Sequence, residues 1–99
     1  MQTYIVLATY TEQGIRRVRE GPHPDEAGRR RLERLGGRLL SLYNTQGQYD
    51  LVQTLEFPDE AAATAWLVET RELGNVRTET LRAFRSEEMD QVRAKLAPR

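Results

Sequence analysis

Two strand-like stretches, residues 38–45 (RLLSLYNT) and 49–57 (YDLVQTLEF), are separated by only Gln46, Gly47 and Gln48. A connection this short joins neighbouring antiparallel strands and nothing else, so the middle of the chain is a hairpin. A segment of helical length precedes the hairpin and another follows it. Beyond each lies a further stretch rich in β-branched and aromatic residues, residues 3–10 (TYIVLATY) and 76–84 (VRTETLRAF). The order is strand, helix, strand, strand, helix, strand, with one helix added at the end.

The helical signals agree with this order. Thr11 is placed to cap a first piece running to Val18. Gly21, Pro22 and Pro24 in EGPHPDE then interrupt it, and a second piece over residues 25–35 turns Leu32 and Leu35 inward. The Gly36-Gly37 pair can take the left-handed conformation that stops a helix. Pro58 and Asp59 open a helix to Leu73 with Ala62, Trp66 and Leu73 on one stripe, and Gly74 closes it. Ser86 is placed to cap the last helix, which carries Met89, Val92 and Leu96 at one-face spacing. With right-handed crossovers, both intervening helices lie on one face of a four-stranded antiparallel sheet of order 4-1-3-2. This is the ferredoxin-like α+β arrangement.

That arrangement leaves the other sheet face bare. The first strand is apolar at both parities, with Tyr4, Val6, Ala8 and Tyr10 on one side and Ile5 and Leu7 on the other. An uncovered apolar face on a small domain marks an interface, so two sheets are expected to pair in a homodimer or higher homo-oligomer. The 99 residues are expected to form a single domain, burying roughly 60 to 70% of the surface of the unfolded chain.

Fifteen basic and fifteen acidic side chains cancel, so the field that gathers nucleic acid or an acidic membrane is absent, and neither is expected as a partner. Without cysteine there is no disulfide, thiolate nucleophile or thiolate metal site. The first residues lack a secretory signal and are too short an apolar run for a membrane span, so a cytoplasmic protein is expected. The single histidine, His23, lies between prolines in GPHPD, where a solvated side chain is the ordinary role. One histidine without cysteine makes zinc improbable, and no metal, flavin or heme is expected. In RRRLERL, residues 29–35, Glu33 and the nearby Glu26 alternate with arginines at helical spacing, the pattern of a solvated, salt-bridged face.

The topology brings distant residues together. The first strand runs antiparallel to the third and fourth, so its end at Tyr10 meets their starts at Tyr49-Asp50 and Asn75-Arg77, and Tyr43 and Asn44 reach the same edge. Tyr10, Tyr49, Asp50, Arg77 and Glu79 are therefore the candidate ligand-binding residues: phenols, acids and a guanidinium where a cleft can open. Strand alternation sets Asp50, Val52, Thr54 and Glu56 on one face and Tyr49, Leu51 and Leu55 on the other. The competing structural roles are a turn glycine at Gly47, backbone hydrogen bonds at Asp50, and an Asp50–Arg77 ion pair.

Three separated segments, YTEQGIRRV after the first strand, GQYD at the hairpin and LGNVRTETLRAF entering the fourth strand, resemble the GYD domain family. The resemblance runs from Tyr4 to about Lys95. It implies a small bacterial or archaeal protein similar to the dimeric α/β-barrel proteins, in which two ferredoxin-like sheets pair. Proteins of that barrel type include cofactor-free monooxygenases, heme-handling enzymes and effector-binding domains, so fold analogy alone does not choose a function. The first reading is an oligomer that binds a small molecule at the sheet end or in a barrel cavity. The alternatives are a cofactor-free monooxygenase or proton-transfer enzyme, with Asp50 as base or orienter and Tyr10 or Tyr49 as donor, and a structural assembly subunit.

Overall fold

The computed structural model describes residues 1–20 and 26–99, the side chain of Glu26 excepted. The elements are β1 (Gln2–Tyr10), α1 (Glu12–Arg19), α2 (Glu26–Arg34), β2 (Arg38–Asn44), β3 (Leu51–Phe57), α3 (Glu60–Glu72), β4 (Val76–Ala83), a 3-10 turn (Ser86–Glu88) and α4 (Met89–Ala94). The strands form one antiparallel sheet in the order β2-β3-β1-β4, the ferredoxin-like α+β arrangement. Among the described residues no helix is long and apolar enough to cross a membrane. His23 lies outside the described residues.

Local chemistry sets the boundaries. The Thr11 hydroxyl accepts the Gly14 N–H at 3.1 Å and starts α1, and the Asp59 carboxylate accepts the Ala62 N–H at 2.8 Å and starts α3. Gly36 and Gly74 take positive φ of 74° and 75° after α2 and α3, where any other residue is strained. Gly37 serves differently from its neighbour. A Cβ there would lie 2.6 Å from Leu32 and 2.7 Å from the Phe57 ring, so its missing side chain lets β2 approach the core. The last helix starts otherwise than expected: Ser86 lies inside the 3-10 turn, and Glu88 accepts the Arg85 N–H at 3.1 Å.

The core lies between the sheet and α2 and α3. Tyr4, Val6, Leu55 and Phe57 of the sheet meet Ala63 and Trp66, with Leu32 and Leu35 packed at the side. Each large apolar side chain buried here contributes about 1.5 to 3 kcal/mol. The Phe57 ring stands edge-on to Tyr4 and tilted to Trp66, both at 6.0 Å. The buried stripe of α3 is Ala63, Trp66 and Thr70; Leu73, expected inside, is 54% exposed because it sits at the C-cap, where the chain turns toward β4. Arg31 and Arg34 of α2 reach across to α3. Arg34 meets Glu69 at 2.6 Å, and Arg31 donates to Thr70 Oγ1 at 2.8 Å and to the Trp66 carbonyl at 3.2 Å.

The register assigns the two faces. Ile5 lies opposite Thr54 and Leu81, and Leu7 opposite Val52 and Glu79, so these residues share the face turned away from the helices. Leu81 is 46% and Tyr43, opposite Val52, 65% exposed there. A register shift between Leu39 and Ser41 interrupts the alternation of β2. Leu39 lies opposite Leu55 and Leu42 opposite Gln53, so both face the helix side.

Candidate functional site

The three recognisable segments meet at one end of the sheet. Tyr10 pairs with Val76 and Thr9 with Arg77, while Asn44 and Ala8 flank Leu51. The loop after β1 is sewn to the turn before β4. Thr11 donates its N–H to the Asn75 carbonyl at 3.1 Å and its hydroxyl to the Gly74 carbonyl at 2.7 Å. The Gln13 side-chain amide donates to the Leu73 carbonyl and the Asn75 side chain, each at 2.8 Å. Gly14 lies so close that a Cβ would stand 2.0 Å from the Asn75 carbonyl oxygen. Thr11, Gln13, Gly14 and Asn75 escaped the candidate set because a helix cap, an amide and a glycine carry no sign of chemistry in a sequence.

Asp50 closes the third side. Its N–H donates to the Ala8 carbonyl at 2.8 Å and its carbonyl accepts from Thr45 at 2.9 Å, which carries the ladder past the end of β3. Its carboxylate accepts the Tyr10 N–H at 2.9 Å. The backbone role is thus the one realised, and the Arg77 guanidinium has no hydrogen-bond or ion-pair partner among the described residues. Gly47 takes a φ of 108° in the loop.

Tyr49 departs from strand alternation because β3 begins only at Leu51. Its hydroxyl bonds the Glu79 carboxylate, and Glu79 is on the outer face, so the phenol crosses the end of β1 to the side opposite the helices. That hydrogen bond, more than desolvation, raises the Tyr49 pKa above 10.0. Burial raises the Tyr10 phenol as well, with the Asp50 charge adding to the effect. Tyr10 remains on the helix side, apart from Tyr49, Arg77 and Glu79. The five candidates are neighbours in the fold but face two directions.

A cleft of about 730 Å³ opens on the helix side, with Ala8, Tyr10, Leu51 and Val76 in its floor and residues of α2 and α3 in its walls. Of the five candidates only Tyr10 lines it. Trp66, read as core, is core on one side and cleft wall on the other. Among the described residues no cluster of three or more His, Asp or Glu side chains could hold a metal.

An antiparallel sheet backed on one face by crossover helices, with its signature residues knotted at one strand end, defines a ferredoxin-like protein. The GYD domain model matches residues 4–92, and the chain belongs to that family. It is 33% identical over 85 residues to the "Glutamine synthetase and cystathionine beta-lyase binding protein" of Thermus thermophilus, a match that covers 85% of this chain and 90% of the relative. Similar solved structures include TTHA0845, also from Thermus thermophilus, with a TM-score of 0.58 and 26% identity over 87% of this chain and 96% of that one. FFRP-DM1 also has a TM-score of 0.58, with 21% identity over 85% of this chain and 100% of that chain. Hypothetical protein PHS023 from Pyrococcus horikoshii gives 0.54, with 19% identity over 87% of this chain and 93% of that chain.

Proposed function

We propose that this chain is a non-catalytic binding protein: one domain of 99 residues that pairs through its outer sheet face and docks onto metabolic enzymes. The observation that carries the reading is the 33% identity to a protein named for binding glutamine synthetase and cystathionine beta-lyase. The strand-end geometry supports it. The Asp50 carboxylate, the strongest candidate for a general base, accepts the Tyr10 backbone N–H and so has a structural role at the sheet end. The exposed Arg77 guanidinium, without a partner among the described residues, stands at the strand end, at the edge of the outer face, where a polar rim suits recognition of another protein.

Pairing rests on the exposed apolar side chains of the outer face, Leu81 and Tyr43, beside the half-buried Ile5, Leu7 and Val52. The test is titration calorimetry of the purified protein against purified glutamine synthetase and cystathionine beta-lyase of the same organism. We expect micromolar or tighter binding to at least one, weakened about tenfold or more by Arg77→Glu. Binding to neither enzyme would remove this reading.

A further inference from the structure

The C-terminal segment carries an apolar stripe that its own domain leaves uncovered. Met89, Val92 and Leu96 stand three and four residues apart on α4 and the turn that continues it. In that turn the Lys95 N–H donates to the Val92 carbonyl at 3.0 Å and the Leu96 N–H to the Arg93 carbonyl at 3.1 Å. Met89 is half-buried, while Val92 and Leu96 are 37% and 67% exposed. None of the three belongs to the core, and among the described elements the 3-10 turn leading into α4 is its main contact. A helix of six residues is far below the roughly 12 to 15 that hold together in water without tertiary packing, so α4 needs a surface to lie on. The radius of gyration, 15.6 Å against about 13 Å for a compact chain of this length, fits a segment that stands away from the body.

The root of this segment is fastened to the outer sheet face. Glu56 lies on that face, opposite Thr3 and Arg38. Arg85, just past β4, reaches over the start of β1 to Glu56 at 4.0 Å, and Arg38 of β2 meets Glu56 at 3.5 Å. Glu88 is held by Arg85 at 3.2 Å and by Arg82 at 3.8 Å. The outer face is graded along its strands. The row nearest the fastened end, Ala83, Thr3, Glu56 and Arg38, has no large apolar side chain. The next rows bring Leu81 and Ile5, then Leu7, Val52 and the exposed Tyr43.

We propose that α4 is an exchanged arm: in the paired protein the Met89, Val92 and Leu96 stripe of each copy lies on Leu7, Val52 and Tyr43 of the other. This exchange rests on the pairing of outer sheet faces and names the element that locks it. A twofold axis running across the strands sets the arm-bearing end of one sheet over the Tyr43 end of its partner, so one symmetric contact covers both apolar surfaces in each copy. A lipid surface fits the stripe poorly. Residues 86–99 carry Glu87, Glu88 and Asp90 against Arg93, Lys95 and Arg99 and so lack the basic polar face of a membrane-surface helix.

The chain has no cysteine, so engineered thiols report only the contact they probe. Leu96→Cys and Tyr43→Cys, co-expressed on separate chains and treated with a short bismaleimide, should give a linked heterodimer, identified by mass, at a yield that neither variant reaches alone. In a dilution series followed by light scattering, Val92→Asp should dissociate at least about tenfold more readily than the parent. Its far-ultraviolet spectrum should otherwise keep the parent's fold, because Val92 lies outside the core. The exchange is overturned if the thiols do not link, or if Val92→Asp pairs as tightly as the parent; the pairing itself then still stands if Leu81→Arg yields a monomer. A parent that is monomeric at micromolar concentration removes both. If Val92→Asp spares pairing but weakens binding to glutamine synthetase or cystathionine beta-lyase, the arm lies on the enzyme and the exchange is overturned.

Discussion

The Asp50 carboxylate accepts the backbone N–H of Tyr10 at 2.9 Å, joining residues forty apart in the chain. It stands where β1 leaves the sheet and supplies the acceptor that the ladder no longer provides. Removing that acceptor leaves a part-buried N–H without a partner. Asp50→Ala should cost about 1 to 3 kcal/mol in urea unfolding, whereas Asp50→Asn, which keeps a side-chain oxygen, should cost about 1 kcal/mol or less. Equal losses would show that the charge of Asp50, rather than its acceptor, stabilises this end of the sheet.

Gly14 should be the more demanding of the two glycines at the sheet end. Gly47 has positive φ but nothing within 4 Å of a Cβ, so Gly47→Ala meets backbone strain alone, about 1 to 2 kcal/mol. At Gly14 the added carbon would overlap the Asn75 carbonyl, and the segments that meet there are tied by Thr11 and Gln13. Gly14→Ala should cost about 3 kcal/mol or more. Thermal melts of the two variants rank them directly.

The Tyr49–Glu79 hydrogen bond gives an alkaline signature. The phenol pKa is raised in the folded state, so the contribution is fully present below the unfolded value near 10.0 and is lost as pH rises through the folded one. The stability difference between the parent and Tyr49→Phe should be constant at neutral pH and disappear in strong alkali. Ultraviolet titration should show Tyr4, Tyr10 and Tyr49 ionising later than the tyrosines of unfolded protein, and Tyr49→Phe should remove one of these late steps.

Glu88 gives the opposite dependence. The Arg85 N–H first, with the Arg85 and Arg82 guanidinium groups, holds its pKa below 4.5 against a smaller desolvation effect. The contribution is present above the unfolded value and lost as pH falls through the lower folded value. Denaturation of the parent and Glu88→Gln at descending pH should therefore converge in acid; a gap that persists there would assign the role to packing.

The outer sheet face should carry the oligomer contact. Leu81→Arg places a charge beside Ile5, where pairing of two sheets would bury it. Light scattering should report a multiple of 11.4 kDa for the parent and the mass of one chain for the variant. A parent that is already monomeric at micromolar concentration would remove the pairing.

Much of this architecture is written in short-range chemistry. Three residues between two strands dictate a hairpin, and Asp59 and Gly74 bound α3 through a cap and a left-handed stop. Four strands in that order with right-handed crossovers leave one economical topology, so the meeting of Tyr10, Asp50 and Val76 is legible as well. Leu73 departs from its expected place because a helical stripe holds only while the helix continues. Tyr49 departs from its expected face because two-residue alternation begins only where the ladder does.

The residue order alone thus determined the elements, their pairing and the strand end at which the signature segments gather, since capping, turn closure and periodicity act over a few residues. Tertiary structure alone decided what those residues are for. Whether Asp50 meets Arg77 or a backbone amide depends on ångström-scale distances between strands, and the answer was the amide. The cleft depends on how far a helix layer extends over a sheet and on one interruption in β2. Neither has a local signature, because each is a difference between positions set by the packing of the whole core.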